Sequence, residues 1–379
     1  MIHAFQWIGQ LFKSIHTQLF LSNHKLWKGI GLKALRPMGN LFQPVTNEIP
    51  PITIVGAGGI GCSLAATIHH SKHPVKLVEK CEQKIAWSKA NGVKVSGFST
   101  QKIPIESFDS WQPTGNEAIF LCTKRYSNKS VLTKIPKNSL IIPIQNGFEE
   151  NEQSSLFKIE GIASFIAESP HKNTDVKITR PGSIHFGINS GISETFILAK
   201  NISKIIKIPG VKLKLTKGIL KYKLTKLLYN CAISPLASGC GVDNGQLLAN
   251  PQLLKLFLGL LRENLGILHH AKLELGKVGP FAPKTVVAIL RRPWVTKMLA
   301  GWFKKSLDNT YCSMACDWLS GQTELENYLG YLLQIADGYP APLNKALYQW
   351  CKNRLEKRQL PSMELIDFLE NSADYKNSF

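Results

Sequence analysis

Acidic side chains are scarce in this chain. Its 379 residues carry 26 Asp and Glu against 46 Lys and Arg, a formal net charge of +20, and residues 1–47 contain no acid at all. Such a balance predicts attraction to anions in general, from phosphorylated cofactors and carboxylate substrates to nucleic acid or acidic lipid. No nucleic-acid motif accompanies it, so the charge alone does not point to nucleic acid. Long apolar runs are also missing. None reaches the roughly 18 residues of a membrane span. The densest stretch, Leu253 to Leu261, is broken by Lys255 and closed by Arg262-Glu263-Asn264. The eight cysteines form no Cys-x-x-Cys pair and have no histidines at zinc spacing, so no metal site is expected. Cys312 and Cys316, one helical turn apart, read as core thiols. Scattered cysteines in a chain of this length fit a reducing compartment, and a cytoplasmic location is expected. Low-complexity tracts and internal repeats are absent, and the length suits two domains with separate cores.

The first fifty residues stand apart. Phe5, Ile8, Phe12, Ile15 and Leu19 recur at three- and four-residue spacing, which predicts an amphipathic helix. Such a segment suits packing on the body of the protein, peripheral contact with a membrane surface, or an organelle presequence. It lacks the apolar core and cleavage site of a secretory signal, and Met38 offers an alternative start.

Pro51-Ile-Thr-Ile-Val55 is a short β-branched run that leads at once into Gly56-Ala57-Gly58-Gly59-Ile60-Gly61. A helical pattern, Cys62 to Ile68, and a second strand, Val75 to Val78, follow. This is Gly-x-Gly-x-x-Gly in its required context of strand, turn, helix and strand, and it predicts dinucleotide binding by residues 56–61. Gly56 permits the turn, Gly58 lets backbone approach a pyrophosphate, and Gly61 lets the helix pack on the sheet. The helix N-terminus offers free N–H groups to the phosphates. Glu79, at the end of the second strand, suits the ribose hydroxyl of NAD, whereas Lys80 suits the 2′-phosphate of NADP. Two further strands end in polar residues, Ala118–Cys122 running into Thr123-Lys124 and Ser139–Ile144 into Gln145-Asn146-Gly147. Strand ends of this kind are where open α/β sheets place ligands.

In the second half, Lys226, Asn230 and Ser234 fall at i, i+4 and i+8 among Leu227, Leu228, Cys231, Ala232 and Ile233. A helix stacks the three polar groups on one face, and Pro235 is expected to bend it where the stripe ends. A lysine desolvated in such a setting gives up its proton more readily and makes a general acid near neutral pH. Eight lysines and no acid lie between Lys204 and Lys226, a solvated surface or a field that draws in anions. Helical periodicity continues through Leu253–Leu275, Tyr328–Asp337 and Asn344–Arg354.

Taken in order, these residues resemble the ketopantoate reductases (2-dehydropantoate 2-reductases). The resemblance runs from Ile52 to about the C-terminus. It rests on Val55–Gly61, Thr123-Lys124, Gln145-Asn146-Gly147, Pro181-Gly-Ser-Ile-His-Phe-Gly187, Lys226-Leu-x-x-Asn230 with Pro235-Leu, Asn244-Gly245, Ser313-Met314 and Thr323-Glu324-Leu325. It implies an α/β Rossmann-type dinucleotide-binding domain over residues 51–215 and an all-helical domain over 216–379, behind a basic extension over 1–50. The implied reaction is NADPH-dependent reduction of a 2-keto acid, with 2-dehydropantoate the leading substrate and pantoate the product. Lys226 resembles the general acid and Glu324 the carboxylate beside it and the cofactor. Asn230, Asn244 and Ser313 resemble substrate-binding groups. Lys124 and Asn146 resemble residues flanking the nicotinamide, and Lys80 stands at the phosphate-binding position. Ser234 replaces an asparagine usual in the family, Leu224 a tryptophan, and the segment from Lys277 to Leu307 is longer than in compact members. A second copy of the chain is a candidate partner. The alternatives are a sister dehydrogenase acting on another keto acid or an imine, a non-catalytic NADPH-binding regulator, and a membrane- or nucleic-acid-associated protein.

Overall fold

A computed structural model describes residues 48–149, 157–189 and 193–372. The amphipathic pattern of residues 1–47 lies outside the described residues. Five strands, β1 (Ile52–Val55), β2 (Val75–Glu79), β4 (Ile105–Ser107), β5 (Ala118–Leu121) and β6 (Leu140–Pro143), form a parallel sheet in the order β4-β2-β1-β5-β6. Ile52 lies opposite Val75 on one side and Ala118 on the other. The sheet is parallel because each crossover carries chain over a face, and β1 and β5, covered on both sides, are buried at every position. Helix α1 (Gly59–His70) fills the first crossover, and α2 (Glu82–Asn91) follows β2. The order turns around at β1, so the crevice at the carboxyl ends of β1 and β5 is the natural ligand position.

Two smaller sheets extend this half. In one, β10 (Gly182–Gly187) pairs antiparallel with β7 (Glu160–Ala163) and parallel with β11 (Val211–Thr216). In the other, β9 (Asp175–Arg180) lies between β3 (Lys94–Val95) and β8 (Ile166–Glu168). The last strand ends at Thr216, and helices α3 (Asn128–Leu132) and α4 (Ser193–Lys204) complete the α/β part.

From Ile219 onward the described chain is helical. Helix α5 (Ile219–Cys240) runs through Pro235 to a left-handed Gly241, which ends it at no side-chain cost. Helix α6 (Asn244–Ala249) starts with a capping box between Asp243 and Gln246, and α7 (Pro251–His270) with an Asn250 cap and Pro251 in its first turn. The α7 periodicity stops at His270, short of Leu275, because Lys272 turns the chain at φ 54. Helices α8 (Pro283–Leu290) and α9 (Pro293–Leu307) form the extra segment, followed by α10 (Ser313–Asp317), α11 (Tyr331–Ile335), α12 (Pro342–Glu356) and α13 (Glu364–Asn371). Leu227, Leu228, Cys231 and Leu236 of α5 sit at the centre of the helical core with Leu256 and Leu260 of α7. Among the described residues no helix is long and apolar enough to cross a membrane.

Candidate active site

One cavity of about 1760 Å³ brings the two halves together. At one end it is lined by Gly58, Gly59 and Ile60, and at the other by Lys226, Asn230, Ser234, Asn244, Ser313 and Glu324, with Lys124 and Asn146 also on its wall.

The glycine turn is held by main chain and two side chains. Gly56 N donates to Val78 O at 2.8 Å, closing the turn on β2. A Cβ on Gly61 would stand 1.9 Å from Gly56 O, so the helix can start this close only with glycine there. Gly58 differs, since a Cβ there meets nothing within 4 Å and would project into open space. That is the space a pyrophosphate needs, and the residues fit a dinucleotide. Ala57 is fully buried; its N–H donates to Glu79 Oε2 at 2.9 Å and its carbonyl accepts from Lys84 Nζ at 3.3 Å. Glu79 Oε1 accepts from the N–H groups of Lys80 and Cys81 at 2.8 and 3.0 Å. One carboxylate oxygen therefore holds the glycine turn and the other the chain leaving β2, while the Lys80 side chain is exposed and does not line the cavity. Lys84, buried and on the cavity wall, carries no motif and was not legible in the sequence.

The strand ends are locked together by buried amides. Gln145 donates to Thr123 O at 2.9 Å and to Asn128 Oδ1 at 2.7 Å. Gly147 adopts φ +68 and lies so close to the turn of Glu326–Gly330 that a Cβ would stand 2.6 Å from Asn327 O. Phe148 N donates to that same oxygen at 3.0 Å. This docking carries Asn146 to the side chain of Tyr328, to which it hydrogen-bonds.

Glu324, only 2 % exposed, is the hub. Its Oε2 accepts from Tyr328 Oη at 2.9 Å and Ser313 Oγ at 3.1 Å, and lies 3.8 Å from Lys124 Nζ. Lys124 also pairs with Asp317 at 2.8 Å. Burial weakens the Lys124 ammonium, but Glu324 and Asp317 outweigh it and raise its pKa above the ordinary lysine value. Burial, helped by Glu324, pushes the Tyr328 phenol well above its usual 10, so it stays a neutral donor. Asp317 and Tyr328 went unread in the sequence, although each lies one helical turn from a residue that was read, Ser313 and Glu324.

Lys226, Asn230 and Ser234 share one face of α5, as their spacing predicts, and all three line the cavity. Lys226 is half-buried by exposure, yet protein surrounds its ammonium, which donates to the carbonyl of Ala163 in β7. Burial pulls its pKa down to about 8, with Glu324 opposing. One turn earlier, Lys223 forms a buried ion pair with Glu160 of the same strand, so two lysines of α5 fasten the helix to the α/β half. Asn244 lines the cavity and is 8 % exposed, and its buried Oδ1 has no partner among the described residues. The lysine-rich run thus divides, with Lys223 and Lys226 turned inward. Cys312 is buried as expected, but Cys316 is exposed and lines the cavity, a correction to its reading as a core thiol. The reason is that α10 buries one face and shows the other. No group of metal ligands occurs among the described residues.

The same order of elements recurs in known proteins. The curated 2-dehydropantoate 2-reductase of Aquifex aeolicus (strain VF5) is 24 % identical over 325 residues, covering 79 % of this chain and 95 % of that one. Among solved structures, D-mandelate dehydrogenase with NADH and anilino(oxo)acetate superposes with a TM-score of 0.66 at 18 % identity, covering 81 % of this chain and 99 % of that one. A dimeric ketopantoate reductase from Staphylococcus aureus superposes at 0.61, again at 18 % identity, with the same coverage of both chains. At such identities the superpositions establish the fold. The profile for ketopantoate reductase PanE/ApbA matches residues 52–191, the strands around the glycine turn. That for its C-terminal part matches residues 218–355, which hold Lys226, Ser313 and Glu324. With both halves matched in order, and meeting at one cavity, this chain belongs to the ketopantoate reductase family.

Proposed function

We propose that this protein reduces a 2-keto acid to the 2-hydroxy acid with NADPH, and that 2-dehydropantoate, the substrate named for its curated relatives, is the first to be measured. The observation that carries the reading is Lys226, whose ammonium burial brings to about 8, in one cavity with the glycine turn and with Asn230, Ser234, Asn244, Ser313 and Glu324. Residues 56–61 would hold the pyrophosphate of a bound dinucleotide at the N-terminus of α1, with Lys124 and Asn146 on the nicotinamide side. The bound nicotinamide supplies the hydride that reduces the keto carbon. Lys226 Nζ gives a proton to the ketone oxygen, which avoids a free alkoxide, and the neutral amine then takes a proton from water. Glu324 keeps that lysine charged at neutral pH and holds Lys124 and Ser313 in place. Asn230, Ser234, Asn244 and Ser313 bind the keto acid, and the unpartnered Asn244 Oδ1 supports that role.

NADPH is favoured because Glu79 spends one oxygen on the glycine turn and the other on the N–H groups of Lys80 and Cys81, while Lys80 and Lys84 add positive charge beside it. A second reading, NADH, is favoured by the same Glu79, whose charge opposes a 2′-phosphate. A homodimer is proposed on the strength of the dimeric Staphylococcus aureus structure, and light scattering on the purified chain tests it. The decisive experiment follows oxidation of NADPH and of NADH with 2-dehydropantoate across pH. Only the ammonium form of Lys226 donates, so the reductive rate should fall as pH rises through about 8. A flat profile between pH 6 and 10, with chemistry rate-limiting, removes Lys226 as the acid.

A further inference from the structure

Beyond the polar stripe, the cavity wall is hydrocarbon. Ile233 of α5, Leu248 of α6, Phe257 of α7, Phe281 before α8, and Leu299 and Phe303 of α9 all line it, and each is only half-buried. These side chains come from separate segments and converge on one space. Two of them, Phe281 and Phe303, meet edge to face with ring centroids 6.2 Å apart. Ile233 is next to Ser234 in sequence, so the apolar wall adjoins the polar stripe.

The segment that closes this wall is built in. Arg262 of α7 donates to Leu290 O at 3.0 Å, tying down the end of α8. Val286 and Leu290 are part of the helical core. Asn244 N donates to Thr310 O at 3.0 Å, and Asp308 packs on Gly245, where a Cβ would stand 2.2 Å from its Oδ1. Asn244, on the cavity wall, is therefore fastened to the chain leaving α9. Most polar groups at this end are spent or peripheral, Tyr229 and Asn244 excepted. Thr296 donates its hydroxyl to Ile289 O and Arg292 O at 3.0 and 3.1 Å, while Asn309 and Tyr311 are exposed. Burial raises the pKa of Tyr229 to about 12, so it adds no charge.

We propose that this apolar compartment receives the substituent of the keto acid, so that the preferred substrate carries an aryl group or a long or branched alkyl chain. The inference rests on the keto-acid reduction proposed above and narrows its substrate. A hydroxyl carried on the substituent, as in 2-dehydropantoate, gains nothing from this hydrocarbon wall and loses hydrogen bonds to water wherever it is carried past Asn244 and Tyr229. A methyl group in its place would gain from burial.

The test compares 2-dehydropantoate with 3,3-dimethyl-2-oxopentanoate, which has methyl where the former has hydroxyl, with both nicotinamide cofactors. The methyl compound should be favoured in kcat/KM by roughly hundredfold, and a linear series from 2-oxobutanoate to 2-oxohexanoate should gain about tenfold per methylene. Leu299→Asn should flatten that series, with its melting temperature measured to show that the variant folds. The wild-type comparison stands by itself if the variant does not fold. Equal or better use of 2-dehydropantoate, or a flat series, overturns the proposal. If no keto acid is reduced with either cofactor, the reduction reading fails, and calorimetry then judges the compartment separately. In the presence of NADP or NAD, 2-hydroxyoctanoate should bind at least about hundredfold more tightly than 2-hydroxybutanoate. Equal affinity would remove the compartment as well.

Discussion

Around Gly58 the cavity wall is main chain, whereas around Lys226 it is side chains, and the two surfaces tolerate change in opposite ways. The turn works because atoms are missing. It needs an absent Cβ at Gly61, where 1.9 Å separates the position from Gly56 O, and open space at Gly58. The acid beside it, Glu79, divides its oxygens between the Ala57 N–H and the N–H groups of Lys80 and Cys81. The α5 end works because charges are present and only partly neutralised. Lys223 has Glu160 as a buried counter-ion, while Lys226, one turn later, bonds a carbonyl and feels Glu324 without a paired contact. The same residue type on the same helix face is thus held by a buried carboxylate in one case and by a main-chain carbonyl in the other, and the second is the proposed proton donor.

The largest expected effect tests the second half of that contrast. Lys226→Ala should lower kcat by roughly two to four orders of magnitude while NADPH binding, measured by fluorescence titration, survives. Near-normal turnover would make Lys226 a second fastener. Next comes Glu160→Gln, which leaves the buried Lys223 ammonium without its counter-charge. It should cost about 3 kcal/mol or more in denaturant unfolding, and Glu160→Gln combined with Lys223→Met should recover much of the loss. A single variant as stable as the parent would mean the pair carries no net energy. Within the turn, Gly61→Ala should destabilise the fold by about 1–3 kcal/mol through overpacking. Gly58→Ala should leave the melting temperature unchanged and weaken only the cofactor. If both variants behave alike, open space is not what distinguishes the two glycines. The smallest effect is expected at the surface. Lys80→Ala should raise the KM for NADPH by about fivefold, the worth of an exposed charge pair, with that for NADH unaltered. Parallel changes in both would assign Lys80 a role unrelated to the 2′-phosphate.

Much of this arrangement was legible before any coordinates. Strand, glycine turn and helix follow one another within a few residues, so the turn could be read directly, and the structure moves its strand ends by one residue. Lys226, Asn230 and Ser234 were legible for a similar reason, since 3.6 residues per turn maps spacing onto a face. Tyr328 and Asp317 were not. Each lies in a short helical turn with no long-range pattern; Asp317 acquires a role only by meeting Lys124, and Tyr328 by meeting Glu324 and Asn146. Lys84 escaped because a lysine in an amphipathic helix ordinarily faces water, and only the packing of α2 beneath the glycine turn brings its Nζ to Ala57 O.

The sequence by itself determined the class of fold, the glycine turn and the polar stripe of α5, because these depend on backbone geometry over a dozen residues or fewer. The tertiary structure alone decided that Glu324 is shared between Lys124 and Ser313, and that Lys223 is paired while Lys226 is not. It also decided that the segment from Lys277 to Leu307 turns an apolar wall toward the site. Those outcomes join positions far apart in the chain. Local spacing carries no information about them, since the contact exists only once two cores have packed and their desolvated groups have found, or failed to find, a partner.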